Sequence, residues 1–329
     1  MKIKRYIDRF RDIKNIYVGE TSQLKTIGYF FDYLKTFLID GASFNDYFGY
    51  KFYNLNNKGR QEYITFRRTR RLQRLCNSNE NIDNFRNKIK FNTLFNDYLG
   101  RKWLDVSSSS FDDFQLFLSS IGKSVFVKDV NGLCGRGVER YEIKDINPKD
   151  LYKTLGSAVG SRFLLEEPIT QTGVLADLHP WSVNTIRITT VLSNDGQDLN
   201  IMGAVLRMGT GKDHRDNLHA GGIAAQIDIE TGIIMRPGFD KANNAYMVHP
   251  DTKKKIVGLS IPDWSKCKEY IKEVAKVDPK VRYVGWDVVI KGDGSFILIE
   301  GNDNGDHDVQ QLHYKGLWNE YKKVLGIKE

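Results

Sequence analysis

Through the first hundred residues, apolar and aromatic positions recur at helical spacing. Tyr6, Phe10, Ile13 and Tyr17 form one stripe, Tyr29, Leu34, Phe37 and Leu38 contribute to a second, and Leu94, Phe95 and Leu99 to a third. Gly41, Asn57, Gly59 and the polar run 77–81 punctuate them. This pattern predicts a mostly helical region that ends at the serine run 107–110, which reads as a linker. Beyond Ser110 the texture changes to short β-branched runs: SVFVKDV, RFLLEE, NTIRITTVL, NIMGAVLRM, GIAAQIDI, RYVGWDVVI and SFILIEGN. Turn sequences at 193–196, 230–232 and 291–294 separate several of them, so consecutive strands should pair antiparallel. Further helices are predicted over 147–159, 264–276 and 308–325. The fold class is therefore α+β behind a helical N-terminal piece.

Composition narrows the field. The 329 residues are 40% hydrophobic and 12% aromatic, ample for a core of about two ordinary domains. The formal charge of +8 is uneven: residues 1–110 hold 21 Lys and Arg against 11 Asp and Glu, a net of +10, and the rest carries a net of −2. No apolar run is long enough to span a membrane, and MKIKRYIDRFRDIK lacks the uninterrupted apolar stretch of a secretory signal. Cys76, Cys134 and Cys267 are scattered without a C-x-x-C pair, which speaks against a disulfide framework or a thiolate zinc site. A cytoplasmic location is expected.

The last hairpin carries the strongest local chemistry. With Asp293-Gly294 as a two-residue turn, Gly292 faces Ser295, Lys291 faces Phe296, Val289 faces Leu298 and Asp287 faces Glu300. Asn302 shares a face with Glu300. Two carboxylates about 5 Å apart repel unless something cationic joins them. A divalent cation with oxygen ligands is one solution; basic side chains or a solvated hairpin end are the others. A one-residue slip would undo the placement.

Three further segments are suggestive. Lys128 ends a short strand ahead of Gly132, Gly135 and Gly137, and close-set glycines let backbone N–H groups approach a polyphosphate; a flexible turn is the plain alternative. The segment LLEEPI ends in Glu166, Glu167 and Pro168, where proline breaks the ladder and leaves backbone groups for a ligand, or simply ends a strand. Arg187 and Arg207 lie inside apolar strands on either side of the 193–196 turn, where each needs an anion, whether carboxylate or phosphate. The loop after them holds Asp216, Asn217, His219, Gly221 and Gly222.

In this order, the strand lysine and glycine loop, E-E-P-I, N-T-I-R, L-R, D-N-L-H-A-G-G, G-W-D and L-I-E-G-N resemble the ATP-grasp superfamily. The closest likeness is to its sugar-transfer associated branch, found among bacterial surface-polysaccharide (capsule) genes; it covers roughly residues 85–310 and includes IDNFRNKIKF, YLGRKWLD and IPDW. The resemblance implies an ATP-grasp fold of two α+β lobes clasping ATP. Its boundaries would be a basic helical region at 1–110, a small lobe at 111–175 and a large lobe at 176–329. It implies Lys128 on the ATP phosphates, Gly132, Gly135 and Gly137 as their lid, and Glu166, Glu167 and Ile169 as the hinge that meets adenine, largely through backbone groups. It implies Asp287, Glu300 and Asn302 as ligands of Mg²⁺ or Mn²⁺, and Arg207 with Arg187 and Asn217 at the γ-phosphate and acyl phosphate. A second ATP lysine is expected at Lys88 or Lys90, and Asp177 is the candidate for ribose.

The implied activity is an ADP-forming carbon–nitrogen ligase that joins a carboxylated sugar or glycan precursor to an amine or amino acid. A kinase acting on a sugar hydroxyl and a non-catalytic assembly protein are the alternatives. His179, His219, His249 and His307 are candidates for acid–base or substrate contact against core or surface roles. Arg67, Arg70, Arg71 and Arg74 share a helical face. That cluster is read as a contact for an anionic glycan, lipid-linked sugar or inner membrane face, or as a solvated surface. No nucleic-acid motif accompanies it.

Overall fold

The computed structural model describes residues 2–130, 137–158, 160, 162–212, 215–305, 307–311 and 315–327. Helices α1 (Lys2–Val18), α2 (Gln23–Asp40) and α3 (Phe44–Gly49) open the chain. Ser22 caps α2, Gly41 ends it in the left-handed conformation, and Ser43 with Asp46 forms a capping box at α3. Their shared core is almost wholly aromatic: Phe10, Tyr33, Phe44, Tyr47, Phe48 and Phe52. Beside it, Asp32 accepts from Arg60 of α4 (Asn57–Arg60) and from the Tyr47 hydroxyl. The α1 stripe turns inward through Phe10, Ile13 and Tyr17, whereas Tyr6 stays exposed. The α2 stripe departs from expectation: Tyr33 forms its buried centre, and Phe37 and Leu38 point to solvent.

This N-terminal aromatic core takes in residues from Phe10 to Tyr63. Helix α5 (Phe66–Cys76) buries Leu72 and Cys76 against Tyr283, Trp318 and Tyr321. Helices α6 (Asp83–Arg86) and α7 (Lys88–Leu94) bring Phe85 and Phe91 into the main core beside Phe95 and Trp286. Strand β1 (Trp103–Asp105) belongs to a four-stranded antiparallel sheet with β2 (Ser124–Asp129), β3 (Val138–Glu142) and β4 (Phe163–Glu166), in the order β1-β4-β2-β3. Helices α8 (Phe111–Ser120) and α9 (Pro148–Ser157) cover one face of it, packing Phe114, Phe117 and Leu155 on Val125, Val127 and Leu165.

After the short α10 (Val174–Leu178) comes a seven-stranded antiparallel sheet, ordered β11-β10-β5-β6-β7-β8-β9. Its strands are β5 (Ile186–Leu192), β6 (Leu199–Met208), β7 (Ile223–Ile227), β8 (Gly238–Phe239), β9 (Ala245–Tyr246), β10 (Tyr283–Ile290) and β11 (Phe296–Asn302). Helix α11 (Trp264–Lys276) lays Trp264, Cys267, Ile271 and Val274 in the core with Ile186, Ile188, Leu206, Trp286, Val288 and Leu298. Side-chain alternation sends Arg187, Arg207 and Asp287 to the other face. At one end that face is covered by α5 and α13 (Trp318–Leu325) around Tyr283. The predicted helix over 308–325 is represented by α12 (Asp308–Gln311) and α13, with residues 312–314 outside those described. No helix among the described residues is long and apolar enough to cross a membrane.

Candidate active site

The β10–β11 hairpin supplies the acidic end of the site. Its turn differs from the predicted two-residue form: Lys291 N–H bonds to Ser295 C=O at 3.0 Å, so the loop is Gly292-Asp293-Gly294. Gly294 takes φ +80°, the left-handed position of a three-residue hairpin loop. The register near the turn is therefore Ile290 with Phe296, Val289 with Ile297 and Val288 with Leu298, one residue off the predicted pairing. A β-bulge between Asp287 and Val288 then absorbs Ile299 and restores the expected partners. Asp287 does face Glu300, but through two one-residue shifts that cancel. Asn302 Nδ2 donates to Glu300 Oε1 at 3.0 Å, so these two side chains lie together.

Asp287 is nearly inaccessible and its carboxylate is held by both strand arginines. Arg187 reaches it with Nε at 2.5 Å and Nη2 at 3.0 Å, and Arg207 Nη2 lies at 2.9 Å. Burial alone would raise its pKa, but the two guanidinium groups outweigh burial and hold it at about 2. Arg207 also bonds Thr185 Oγ1 at 3.0 Å and sits 3.6 Å from Asp216. Of the two anions expected for these arginines, the carboxylate is present. Glu300 is shifted the other way: crowding by protein and the facing Asp287 carboxylate raise its pKa. Solvent reaches Glu300, so that crowding is the floor of a cleft rather than a dry core.

Across the cleft, Lys128 at the end of β2 bonds Glu166 at 2.5 Å. Glu166 is buried, and it also accepts from Arg101 Nε at 3.0 Å, Arg101 Nη2 at 3.1 Å and Asn92 Nδ2 at 2.9 Å. Burial opposes its ionisation, yet Arg101 and Lys128 keep the carboxyl well below the usual carboxylate range. The Glu166 side chain is thus an ion-pair hub. Glu167, Pro168 and Ile169 instead line a cavity of about 470 Å³ with Phe126, Arg140 and Trp181. The N–H of Glu167 bonds Lys102 C=O at 2.9 Å.

The structure separates the two upstream lysines. Lys88 Nζ donates to the carbonyls of Asp129 at 3.0 Å and Val130 at 3.2 Å. Burial lowers its pKa, against the pull of Glu300 and with the push of Lys128. Lys90 pairs with Asp83 at the surface. Gly137 C=O accepts from Asp129 N–H at 2.8 Å, which anchors the far end of the glycine loop. Gly132, Gly135 and Cys134 lie outside the described residues.

Other predicted residues are not gathered here. Asp177 is exposed on α10, 3.8 Å from Lys254. Asn217 Oδ1 caps the 218–220 turn by accepting from Ala220 N–H at 2.7 Å. His179 and His249 are buried pins for the 209–211 segment, bonding Gly211 C=O at 2.9 Å and Gly209 C=O at 2.8 Å. His307 sits between Tyr283 and Tyr321 and bonds both hydroxyls. The side chain of His219 is outside the described residues. Three site residues escaped the sequence reading: Arg101, Asn92 and, as a partner of Arg207, Asp216. The Gly100-Arg101 pair inside YLGRKWLD was the available signal.

The family model for sugar-transfer associated ATP-grasp proteins matches residues 67–325. Among solved structures, the chain is similar to the ATP-grasp ligase PsnB complexed with minimal precursor: 15% identity, 77% of this chain and 60% of that one, TM-score 0.42. It is also similar to an ADP complex of PurK, an N5-carboxyaminoimidazole ribonucleotide synthetase, at 11% identity, 75% and 53% coverage and TM-score 0.45. A third similar structure is the Staphylococcus aureus N5-carboxyaminoimidazole synthetase complexed with ADP, at 12% identity, 68% and 46% coverage and TM-score 0.42. The chain spans less than two thirds of the length of each. No match was found among curated protein sequences.

Proposed function

The chain belongs to the sugar-transfer associated ATP-grasp family, and on that premise we propose that it is an ADP-forming ligase that joins a carboxylate to an amine. The observation that carries this reading is the meeting of two charge sets across the cleft. Lys128 and Lys88 stand on the small-sheet side, and Arg187 and Arg207 flank Asp287 and Glu300 on the large sheet. Such a set suits a reaction between two anions, a substrate carboxylate and the γ-phosphate of ATP.

In this reading Lys128 and Lys88 hold the ATP phosphates, and the glycine loop of Gly132, Gly135 and Gly137 closes over them. Adenine enters the cavity at Glu167 and Ile169, and Asp177 is the candidate for ribose. Asp287, Glu300 and Asn302 fit a divalent cation in their chemistry: three side chains with hard oxygen donors share one face, and the Glu300 carboxylate faces that of Asp287. They would hold Mg²⁺ or Mn²⁺, which supplies charge neutralisation to the phosphates when bound. Arg207, steadied by Asp216 and Thr185, and Arg187 would shift part of their charge from Asp287 to the transferred phosphoryl group. Asn217, next to Asp216 in the chain, is the remaining candidate for contact with the acyl phosphate. The carboxylate substrate attacks the γ-phosphorus and ADP leaves; the amine then attacks the acyl phosphate, giving an amide, inorganic phosphate and a proton.

As the carboxylate substrate we propose a carboxylated sugar, such as a uronic acid, or a glycan precursor of bacterial surface polysaccharide, a choice that the family's sugar-transfer description suits. The test is ADP release screened across sugar acids and amines, with hydroxylamine as a trap. A hydroxamate formed in step with ADP supports the acyl phosphate. A stable phosphorylated sugar would make the protein a kinase, and no ADP release with any partner would leave the assembly role.

A further inference from the structure

Helix α2 buries Tyr33 and Thr36 and leaves its opposite side without a partner among the described residues. At 100° per residue, Leu24, Ile27, Phe31, Lys35, Leu38 and Ile39 fall within about one third of the helix circumference. Leu24 is 84% exposed, Ile27 45%, Phe31 66%, Leu38 71% and Ile39 53%. From Leu24 to Ile39 the stripe runs about 22 Å at helical rise. Isolated exposed apolar residues need no explanation, but a continuous apolar helix face marks an interaction surface.

The charge along this face is mainly positive, with the exposed Glu20 standing just before its N-terminal end. Lys35 lies within the stripe and Lys25 beside it, both exposed. The only acid in residues 21–39 is Asp32, which is turned inward to Arg60. At the C-terminal end, the exposed Arg67 donates to the carbonyls of Phe37, Leu38 and Ile39 at 2.9, 3.1 and 3.3 Å. Next to it Phe66 is exposed with the Arg70 guanidinium stacked 5.4 Å from its ring centroid. Arg70 and Arg74 are exposed and make no ion pair among the described residues.

We infer that this face docks the protein on an anionic lipid surface, with α2 lying parallel to the bilayer plane. Apolar side chains enter the headgroup boundary while Lys25, Lys35, Arg67, Arg70 and Arg74 meet lipid phosphates. A protein partner for so basic a rim would need a matching acidic edge; a second copy of this chain offers the same cations and would be repelled. The docking is independent of the ligase reading.

Co-sedimentation of the full chain with phosphatidylcholine vesicles, with and without phosphatidylglycerol, tests it. The chain should pellet with the phosphatidylglycerol vesicles, remain in the supernatant with phosphatidylcholine alone, and lose binding in high salt. Combining Leu24→Glu, Phe31→Glu and Leu38→Glu should weaken binding by about tenfold or more, while circular dichroism keeps the native melting curve. Arg70→Gln with Arg74→Gln should flatten the salt dependence. A wild-type chain that never pellets with anionic vesicles overturns the proposal, as does a triple variant that binds like wild type. A lipid-free dimer that the triple substitution dissolves would reassign the face to a second copy.

Discussion

Arg101 binds Glu166 through two nitrogens, Nε at 3.0 Å and Nη2 at 3.1 Å, and with the same guanidinium reaches the other side of the cleft. Its Nη1 donates to Leu298 C=O at 2.7 Å and its Nη2 to Ile299 C=O at 3.3 Å. Those carbonyls belong to the bulge that sets Glu300 opposite Asp287. One buried ion pair therefore fixes Lys128 on β4's side and the acidic strand on β11's side.

Glu166→Gln should cost about 3–5 kcal/mol at neutral pH, because it leaves Arg101 and Lys128 facing each other with no carboxylate between them. The pH dependence follows from a depressed folded pKa against the ordinary glutamate value of 4.5. The stability it contributes is present in full above that value and is lost as pH falls through the folded pKa. Urea unfolding of wild type and variant should show a constant gap from pH 7 to about pH 5 that narrows in strong acid. A gap that narrows towards neutral pH instead would mean that Glu166 is not ionised in the native state.

Glu300→Gln separates function from stability. ADP release should fall by about 100-fold, since the substitution removes a charge aimed at the cleft. Stability should hold or rise, because a carboxyl whose pKa is raised by crowding and by a facing carboxylate is a destabilising charge at neutral pH. Thermal melting and ADP release on the same sample check both halves. A large fall in Tm would mean that Glu300 acts as a structural group.

Lys88→Ala and Lys90→Ala should part company. Lys88 ties the carbonyls of Asp129 and Val130 immediately before the glycine loop, whereas Lys90 makes an exposed pair with Asp83. An exposed pair contributes at most about 1 kcal/mol. Lys88→Ala should raise KM for ATP about tenfold or more, and Lys90→Ala should leave it within about twofold. Steady-state ADP release against ATP concentration decides; equal effects would place both lysines outside the site.

The elements most legible in the sequence were those written by local patterning: the antiparallel strands, the acidic hairpin and the helical N-terminal texture. The pairing of Asp287 with Glu300 is legible although the turn has one residue more than its sequence predicts, because the bulge at Ile299 offsets the difference. No periodicity signals a bulge whose carbonyls are met by Arg101, distant in the chain. The ion-pair role of the Glu166 side chain is hidden for the same reason, since its partners Asn92, Arg101 and Lys128 come from three other segments. The α2 stripe shows a related limit. Helical spacing reveals apolar faces, but only packing decides which of them is covered.

Gly285, in the G-W-D segment of β10, holds the arginine pair in place by having no side chain. A Cβ there would lie 3.1 Å from Arg187 Cδ and 3.0 Å from Gly305 C=O. The backbone oxygen cannot step aside, so the arginine stem would have to give, and its Nε lies only 2.5 Å from Asp287. Gly285→Ala should therefore pull Arg187 off Asp287 and leave a buried carboxylate on Arg207 alone. Stability should drop by about 1–3 kcal/mol from overpacking, and kcat for ADP release should fall more than KM for ATP. Urea unfolding gives the first number and steady-state kinetics the second. A variant with wild-type kcat would show that the close approach at Gly285 does not set the position of Arg187.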